Sequence, residues 1–85
     1  MAHVTIYMTS ICPYCRMAKD LLSRKGTDYD EIDVLGQPGR RAEMRQKAGG
    51  RNTVPQIWIG DRHVGGCDDL YELDARGQLD ALLAG

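Results

Sequence analysis

The chain opens with an alternating segment, and apolar residues at helical spacing follow it. Residues 4–8 (Val-Thr-Ile-Tyr-Met) are rich in β-branched and aromatic side chains, which predicts a first β-strand. Between residues 13 and 26, the apolar positions are spaced to form one buried helix face: Met17, Ala18, Leu21 and Leu22. Pro13 suits the first turn of this helix, and Gly26 suits its end.

The rest of the pattern predicts five further elements. They are a weaker strand over residues 29–34, a short polar helix over 40–47, a strong strand signal at 54–59, a short strand at 62–64, and a helix from Cys67 that Gly77 interrupts. Glycines and prolines separate these elements. We expect Trp58 to lie in the core or on a half-buried sheet face, and His63 to be polar surface.

The order β-α-β-α-β-β-α predicts the α/β class. We expect a single domain over residues 1–85, built on a four-stranded mixed sheet with helices on both faces. The first β-α-β should be a right-handed parallel crossover, and the last two strands should form a hairpin. Cys12-Pro13-Tyr14-Cys15 then lies at the carboxyl end of the first strand, where open α/β sheets tend to bind ligands.

Composition restricts the class of partner. The 85 residues are 42% hydrophobic and 27% charged, with a formal net charge of −1. This balance gives no reason to expect nucleic acid or an anionic membrane as a partner. The first residues lack the features of a signal peptide, and no segment approaches the roughly 20 apolar residues of a membrane span. We therefore expect a cytoplasmic protein, in a compartment that keeps thiols reduced.

The three cysteines, Cys12, Cys15 and Cys67, are too few for a disulfide scaffold. Two residues separate Cys12 from Cys15, so this pair can close a small disulfide ring. If Cys12 begins the helix, unpaired N–H groups and the helix dipole favour its thiolate. A thiolate with a second thiol in reach predicts thiol–disulfide exchange. Zinc binding is an alternative, although only His3, His63 and Cys67 could complete the four ligands.

Three motifs follow one another along the chain: Cys-Pro-Tyr-Cys at 12–15, Thr-Val-Pro-Gln at 53–56 and Gly-Gly-Cys-Asp-Asp-Leu at 65–70. Together they resemble the dithiol glutaredoxins, in particular the short bacterial members, over nearly the whole chain. The resemblance implies the thioredoxin fold, a monomer, and glutathione as cosubstrate with no metal. It also implies reduction of protein–glutathione mixed disulfides and protein disulfides, with ribonucleotide reductase as a family-level candidate partner.

The resemblance implies roles for residues around the C-x-x-C. Cys12 would be the nucleophile and Cys15 the resolving thiol. Val54-Pro55 would form a loop with a cis peptide bond, and its backbone would pair with the cysteinyl part of glutathione. Tyr14 would flank the reactive sulfur, and Gln56 is expected to reach the glycyl carboxylate.

A second group of roles falls at the last predicted helix. Gly66, Cys67 and Asp68 would hold the γ-glutamyl end of glutathione, with backbone N–H groups on its carboxylate and the Asp68 side chain on its ammonium. Cys67 itself is expected to be a small buried residue. Family members often carry a Lys shortly before the first cysteine, and residues 8–11 contain none. Arg41 is the candidate to replace it.

Two other redox functions remain open. A thioredoxin-type reductase served by a flavoprotein would use the same fold, although thioredoxins usually carry Gly-Pro where this chain has Pro13-Tyr14. An iron–sulfur carrier would bridge two chains through Cys12 and glutathione, as monothiol relatives with Cys-Gly-Phe-Ser do. Cys15 offers a disulfide that competes with such a cluster.

Overall fold

Across residues 2–85, the part of the chain that the computed structural model describes, four short strands form a central sheet. The strands are β1 (Val4–Met8), β2 (Asp30–Asp33), β3 (Gln56–Ile59) and β4 (Arg62–Gly65). Their order is β2-β1-β3-β4. The β1/β2 pair is parallel, whereas β1/β3 and β3/β4 are antiparallel. The predicted mixed sheet, its parallel first pair and its terminal hairpin are confirmed.

The same residues form four helices: α1 (Pro13–Arg24), α2 (Pro38–Lys47), α3 (Cys67–Ala75) and α4 (Leu79–Ala84). The last two replace the single interrupted helix of the prediction, and Gly77 between them adopts a φ of +70° that favours glycine. β3 begins two residues later than predicted, because residues 54 and 55 form a loop with a cis peptide bond. No helix within residues 2–85 is long and apolar enough to cross a membrane.

Alternation along the strands divides the core into two apolar layers. Ile6 and Ile57 face one layer, whereas Tyr7 and Trp58 face the other. The larger layer packs the sheet against α1, α3 and α4, and its buried residues include Ala18, Leu22, Leu70, Leu79 and Leu83. The smaller layer packs the opposite face against α2: Tyr7, Val34, Met44, Ala48 and Trp58. Helices therefore cover both faces, as predicted.

Four residues separate the end of β1 from the start of α1, and one apolar residue of α1 is not in the core. Ala18, Leu21 and Leu22 are buried as their spacing predicts, but Met17 is 45% exposed. The prediction for Met17 is wrong because this residue lies in a surface groove next to Cys12, together with Ile11. The start of α1 therefore presents apolar side chains to solvent on one side of the C-x-x-C.

Candidate active site

Cys12 is the N-cap residue of α1. Its backbone is extended, with φ −94° and ψ 115°, and Pro13 follows it at the first helical position. The N–H of Cys15 donates to Cys12 Sγ over 3.2 Å, so the sulfur itself caps the helix. The positive end of the helix dipole also favours a negative charge there. Cys12 is partly exposed whereas Cys15 is buried, so Cys12 is the thiol that a disulfide in solution can reach.

Cys15 lies behind Cys12 in the larger apolar layer. Burial raises the pKa of Cys15 to about 12, and the hydrogen bond to Cys12 acts in the same direction. The charge of Cys12 raises the pKa of Cys15 further, while a backbone hydrogen bond at Thr9 and the charge of Lys19 lower it. At neutral pH, Cys15 is therefore a protonated thiol, closed to solvent and in contact with Cys12.

The loop that precedes β3 faces Cys12. The Val54–Pro55 peptide bond is cis, which confirms the prediction. The carbonyl oxygen of Val54 lies 3.7 Å from Cys12 Sγ, where it accepts a hydrogen bond from the thiol. Arg41 on α2 holds the same loop, because its Nε and Nη2 donate to Asn52 Oδ1 (3.1 Å) and to the Asn52 carbonyl oxygen (2.8 Å). The Val54 backbone is thereby held beside the reactive sulfur.

The start of α3 forms the opposite wall. Gly66 is the N-cap, and its N–H donates to Asp69 Oδ2 over 2.8 Å. Arg51 Nη1 lies 3.2 Å from the same oxygen. The Gly66 N–H, followed by Arg51, holds the pKa of the Asp69 carboxyl below its usual range, so this carboxylate is ionised at neutral pH. Cys67 is buried as expected, and its burial raises the pKa of its thiol.

A cleft runs between these two walls, beside Cys12. Its lining residues are Tyr14, Arg51, Thr53, Val54, Pro55, Gly66, Cys67, Asp68 and Asp69. It brings six predicted binding residues together, and it adds Arg51, Thr53 and Asp69, for which the sequence predicted no binding role. Asp69 has a sequence signal, since an acidic residue three positions after an N-cap is half of a capping box. Nothing in the sequence marks Arg51, which precedes the loop in a glycine-rich segment.

Two residues predicted to bind glutathione lie outside this cleft. Gln56 is completely buried, and its amide bonds to Thr53 and His63. The prediction that Gln56 reaches the glycyl carboxylate is therefore wrong, because its side chain points into the sheet. Arg41 contacts Asn52 on the outer side of the loop, and Arg51 is the basic side chain that lines the cleft.

His63 also departs from its prediction as polar surface. Its ring is half-buried and stacks on Trp58, with 4.6 Å between ring centroids. The other candidate zinc ligand outside the cysteines, His3, pairs with Asp30 over 3.0 Å. Within residues 2–85, no three His, Cys, Asp or Glu side chains are grouped so that they could hold a metal ion.

The geometry defines a class of protein. A sulfur at a helix N-terminus, a buried thiol three residues later and a cis-proline loop opposite them are the parts of a dithiol–disulfide exchanger. The four-stranded sheet that carries them, with helices on both faces, has the arrangement of the thioredoxin fold.

Comparison with known proteins gives the family. The glutaredoxin family profile matches residues 4–64. A glutaredoxin of Pseudomonas aeruginosa is 60% identical over 84 residues, which cover 99% of each chain. The solution structure of glutaredoxin from Brucella melitensis is 57% identical, covers 98% of this chain and 89% of its own, and superposes with a TM-score of 0.86. A buckwheat glutaredoxin–glutathione complex is 30% identical, with coverages of 95% and 76% and a TM-score of 0.87.

The chain belongs to the glutaredoxin family and is a glutathione-dependent thiol–disulfide oxidoreductase.

The difference between the two thiols predicts selective alkylation. We expect iodoacetamide at neutral pH to modify Cys12 in the native reduced protein and to leave Cys15 unmodified, because a buried thiol with a pKa of about 12 neither meets the reagent nor ionises. Mass spectrometry of proteolytic fragments measures the labelling. Urea-unfolded protein is the control, in which Cys15 also reacts. Equal rates at Cys12 and Cys15 in the native protein would contradict the described burial.

At Gly65, at the end of β4, we expect even the substitution by alanine to destabilise the protein. Its φ is +114°, and an added Cβ would overlap Asp69 Oδ2 and lie 2.8 Å from Arg51 Nη1. We expect Gly65→Ala to lower the free energy of unfolding through backbone strain of about 1–2 kcal/mol and loss of the Asp69 cap, worth about 1 kcal/mol more. Urea unfolding measures this change.

Gly36→Ala is the matched control for Gly65→Ala. Gly36 also has a positive φ (+70°), but its added Cβ meets no atom within 4 Å. It should therefore show the cost of backbone strain alone. Equal losses in the two variants would mean that the contact with Asp69 and Arg51 contributes nothing.

Proposed function

We propose that this chain reduces mixed disulfides between glutathione and proteins, and also protein disulfides, with Cys12 as the nucleophile and Cys15 as the resolving thiol. The observation that carries the assignment is the pair of sulfur environments: Cys12 caps α1 and is reachable from solvent, while Cys15 is buried behind it. Only a reachable sulfur can attack, and a helix N-terminus favours the thiolate that does so.

The route for a glutathionylated protein uses Cys12 alone. The Cys12 thiolate attacks the glutathione sulfur, a Cys12–glutathione disulfide forms, and the protein leaves as a thiolate that takes a proton from water. A second glutathione, as thiolate, then attacks the glutathione sulfur on Cys12. Glutathione disulfide leaves, and the Cys12 thiolate is restored. One protein sulfur is thereby reduced from disulfide to thiol and one free glutathione is oxidised, while the glutathione that the protein carried stays at the disulfide level and ends in glutathione disulfide.

The route for a protein disulfide needs Cys15. Cys12 first forms a mixed disulfide with one protein sulfur, and the other leaves as a thiol. That step removes the Cys12 charge and its thiolate acceptor, which are two of the three causes that raise the pKa of Cys15. The pKa of Cys15 therefore falls when it must attack. Cys15 loses its proton to the departing protein thiolate and attacks the Cys12 sulfur, so the protein leaves as a thiol and a Cys12–Cys15 disulfide remains. Two glutathione molecules then reduce this disulfide to two thiols and become glutathione disulfide.

The cleft beside Cys12 is our proposed glutathione site. The Val54 backbone, ahead of the cis bond to Pro55, would pair with the cysteinyl residue, and Tyr14 would flank the sulfur. At α3, the N–H groups of Cys67 and Asp68 would bind the γ-glutamyl carboxylate, since the Gly66 N–H already donates to Asp69. The Asp68 carboxylate would bind the ammonium group.

We propose Arg51, rather than Arg41, as the basic side chain that faces glutathione in this cleft. Arg51 lines the cleft and retains solvent contact on nearly half of its side chain while it pairs with Asp69. Arg41, named from the sequence for this role, is bound to Asn52 and would act on glutathione only by holding the loop.

We place this activity in a single domain, residues 1–85, that acts as a cytoplasmic monomer. The cytoplasmic glutathione pool can drive a dithiol with a glutaredoxin potential of around −200 to −230 mV. The partners would be glutathione and glutathionylated or disulfide-containing proteins, with ribonucleotide reductase as a family-level candidate. A net charge of −1 supports neither nucleic acid nor a membrane surface as a partner.

Two cysteine variants separate the routes. With a glutathionylated peptide, glutathione, glutathione reductase and NADPH, we expect Cys12→Ser to lose all turnover and Cys15→Ser to keep it. With a protein disulfide as substrate, both variants should lose turnover, because resolution needs Cys15. Turnover by wild type only when thioredoxin reductase replaces glutathione would contradict the proposal and assign the chain to the thioredoxin-type alternative.

A further inference from the structure

A buried amide and a half-buried histidine form a polar pair next to the loop that faces Cys12. Gln56, the first residue of β3, is completely buried, and His63 on β4 is the cross-strand partner of Trp58, two residues further along β3. The Gln56 Nε2 donates to the carbonyl oxygen of Thr53 (3.1 Å) and to Thr53 Oγ1 (3.2 Å). Gln56 Oε1 lies 2.7 Å from His63 Nε2. Burying an amide in a central strand costs free energy unless the amide is hydrogen-bonded. The bonds to Thr53 and His63 offset that cost for Gln56.

The chemistry of these groups fixes which atom donates and which accepts in each hydrogen bond. A backbone carbonyl can only accept, so the Gln56 atom that faces the Thr53 carbonyl must be the amide nitrogen. The Gln56 oxygen therefore faces His63, and His63 Nε2 must carry a proton to donate. Burial, followed by the charge of Arg51, lowers the pKa of His63, so the ring is neutral at pH 7 with its proton on Nε2.

The His63 ring, which is the donor to Gln56, is itself held in place by aromatic side chains of the sheet. The His63 ring stacks on Trp58 at an interplanar angle of 26°. Trp58 in turn meets Tyr7 edge-on at 5.3 Å, and the Lys47 ammonium lies 5.0 Å from the Trp58 ring centroid. These contacts leave His63 little freedom to rotate away from Gln56.

We infer that His63, acting through Gln56, is a positioning residue for the loop that receives glutathione. The loop is fixed on its outer side by Arg41 at Asn52, and the bonds from Gln56 fix the next residue, Thr53, from the inside. Thr53 lines the cleft and precedes Val54, whose carbonyl oxygen contacts Cys12. The inference rests on the proposed glutathione site, since it says what holds one wall of that site in place.

If the loop is already ordered before glutathione binds, binding loses less conformational entropy and is therefore tighter. Loss of the His63 donor should therefore weaken glutathione binding and leave the chemistry at Cys12 unchanged. The Gln56 oxygen would also be left buried and unpaired, which frees the amide to turn away from Thr53.

The test compares His63→Leu, which keeps an apolar surface on Trp58 but cannot donate, with His63→Gln, which restores an N–H donor. His3→Leu is the control for loss of a histidine, because the His3 ring is exposed and pairs with Asp30 rather than with Gln56. In the glutathionylated-peptide assay we expect His63→Leu to raise the KM for glutathione about fivefold, the worth of one hydrogen bond of roughly 1 kcal/mol. Its kcat should stay at the wild-type value, and His63→Gln should return KM close to wild type.

A second measurement does not depend on glutathione. Nitrogen-15 NMR of the reduced protein should show His63 protonated on Nε2. Backbone order parameters for residues 51–54 should fall in His63→Leu and remain in His63→Gln. Proton placement on Nδ1 in the wild type, or unchanged order parameters and KM in His63→Leu, would overturn the inference. So would an equal rise of KM in all three variants.

The two proposals fail in different ways. If the wild type shows no glutathione turnover, the proposed function fails, and the NMR comparison alone decides whether His63 positions the loop. If the wild type turns over glutathione and His63→Leu matches it in KM and in order parameters, the function stands and the role of His63 is refuted.

Discussion

The hydrogen bond from the Cys15 N–H to the Cys12 sulfur is the interaction on which the site depends. It makes the sulfur the cap of α1, so the group that must carry negative charge lies where the helix favours it. The same turn sends Cys15 into the apolar layer, where burial keeps it protonated. The same helical turn therefore gives the two cysteines different roles: Cys12 carries the negative charge, and Cys15 stays protonated.

Everything else in the fold brings distant segments to that sulfur. β1 ends at Met8, just ahead of Cys12, and its antiparallel pairing with β3 places the Val54 carbonyl beside a residue 42 positions earlier. The short hairpin from β3 to β4 then returns the chain to the start of α3, so Gly66 faces the same cleft. Two helix N-termini and one loop meet because β1 and β4 end, and the antiparallel β3 begins, at the same edge of the sheet.

Local signals account for what the sequence predicted. The C-x-x-C after a strand, the Pro13 start of α1 and the two sheet layers follow from spacing and from the backbone limits of proline. The thioredoxin fold, the cis bond and the cleft residues came from the resemblance to a family. Side-chain direction at tertiary contacts was not predictable. Met17 has helical spacing for burial, but it lies in a surface groove beside Cys12. Gln56 is polar yet points inward, because His63 and Thr53 satisfy its hydrogen bonds. Arg51 gave no signal, since its place over Gly65 and Gly66 depends on a loop of irregular backbone.

In the complex that we propose, glutathione lies in the cleft between the Val54 loop and the start of α3, with its sulfur on Cys12. The most direct measurement is an NMR structure of Cys15→Ser protein that carries glutathione as a mixed disulfide on Cys12. We expect intermolecular contacts from the cysteinyl residue to the Val54 backbone and from the γ-glutamyl end to the first turn of α3 at Asp68. Contacts to Ile11 and Met17 on the other side of Cys12, with none to Val54, would contradict it.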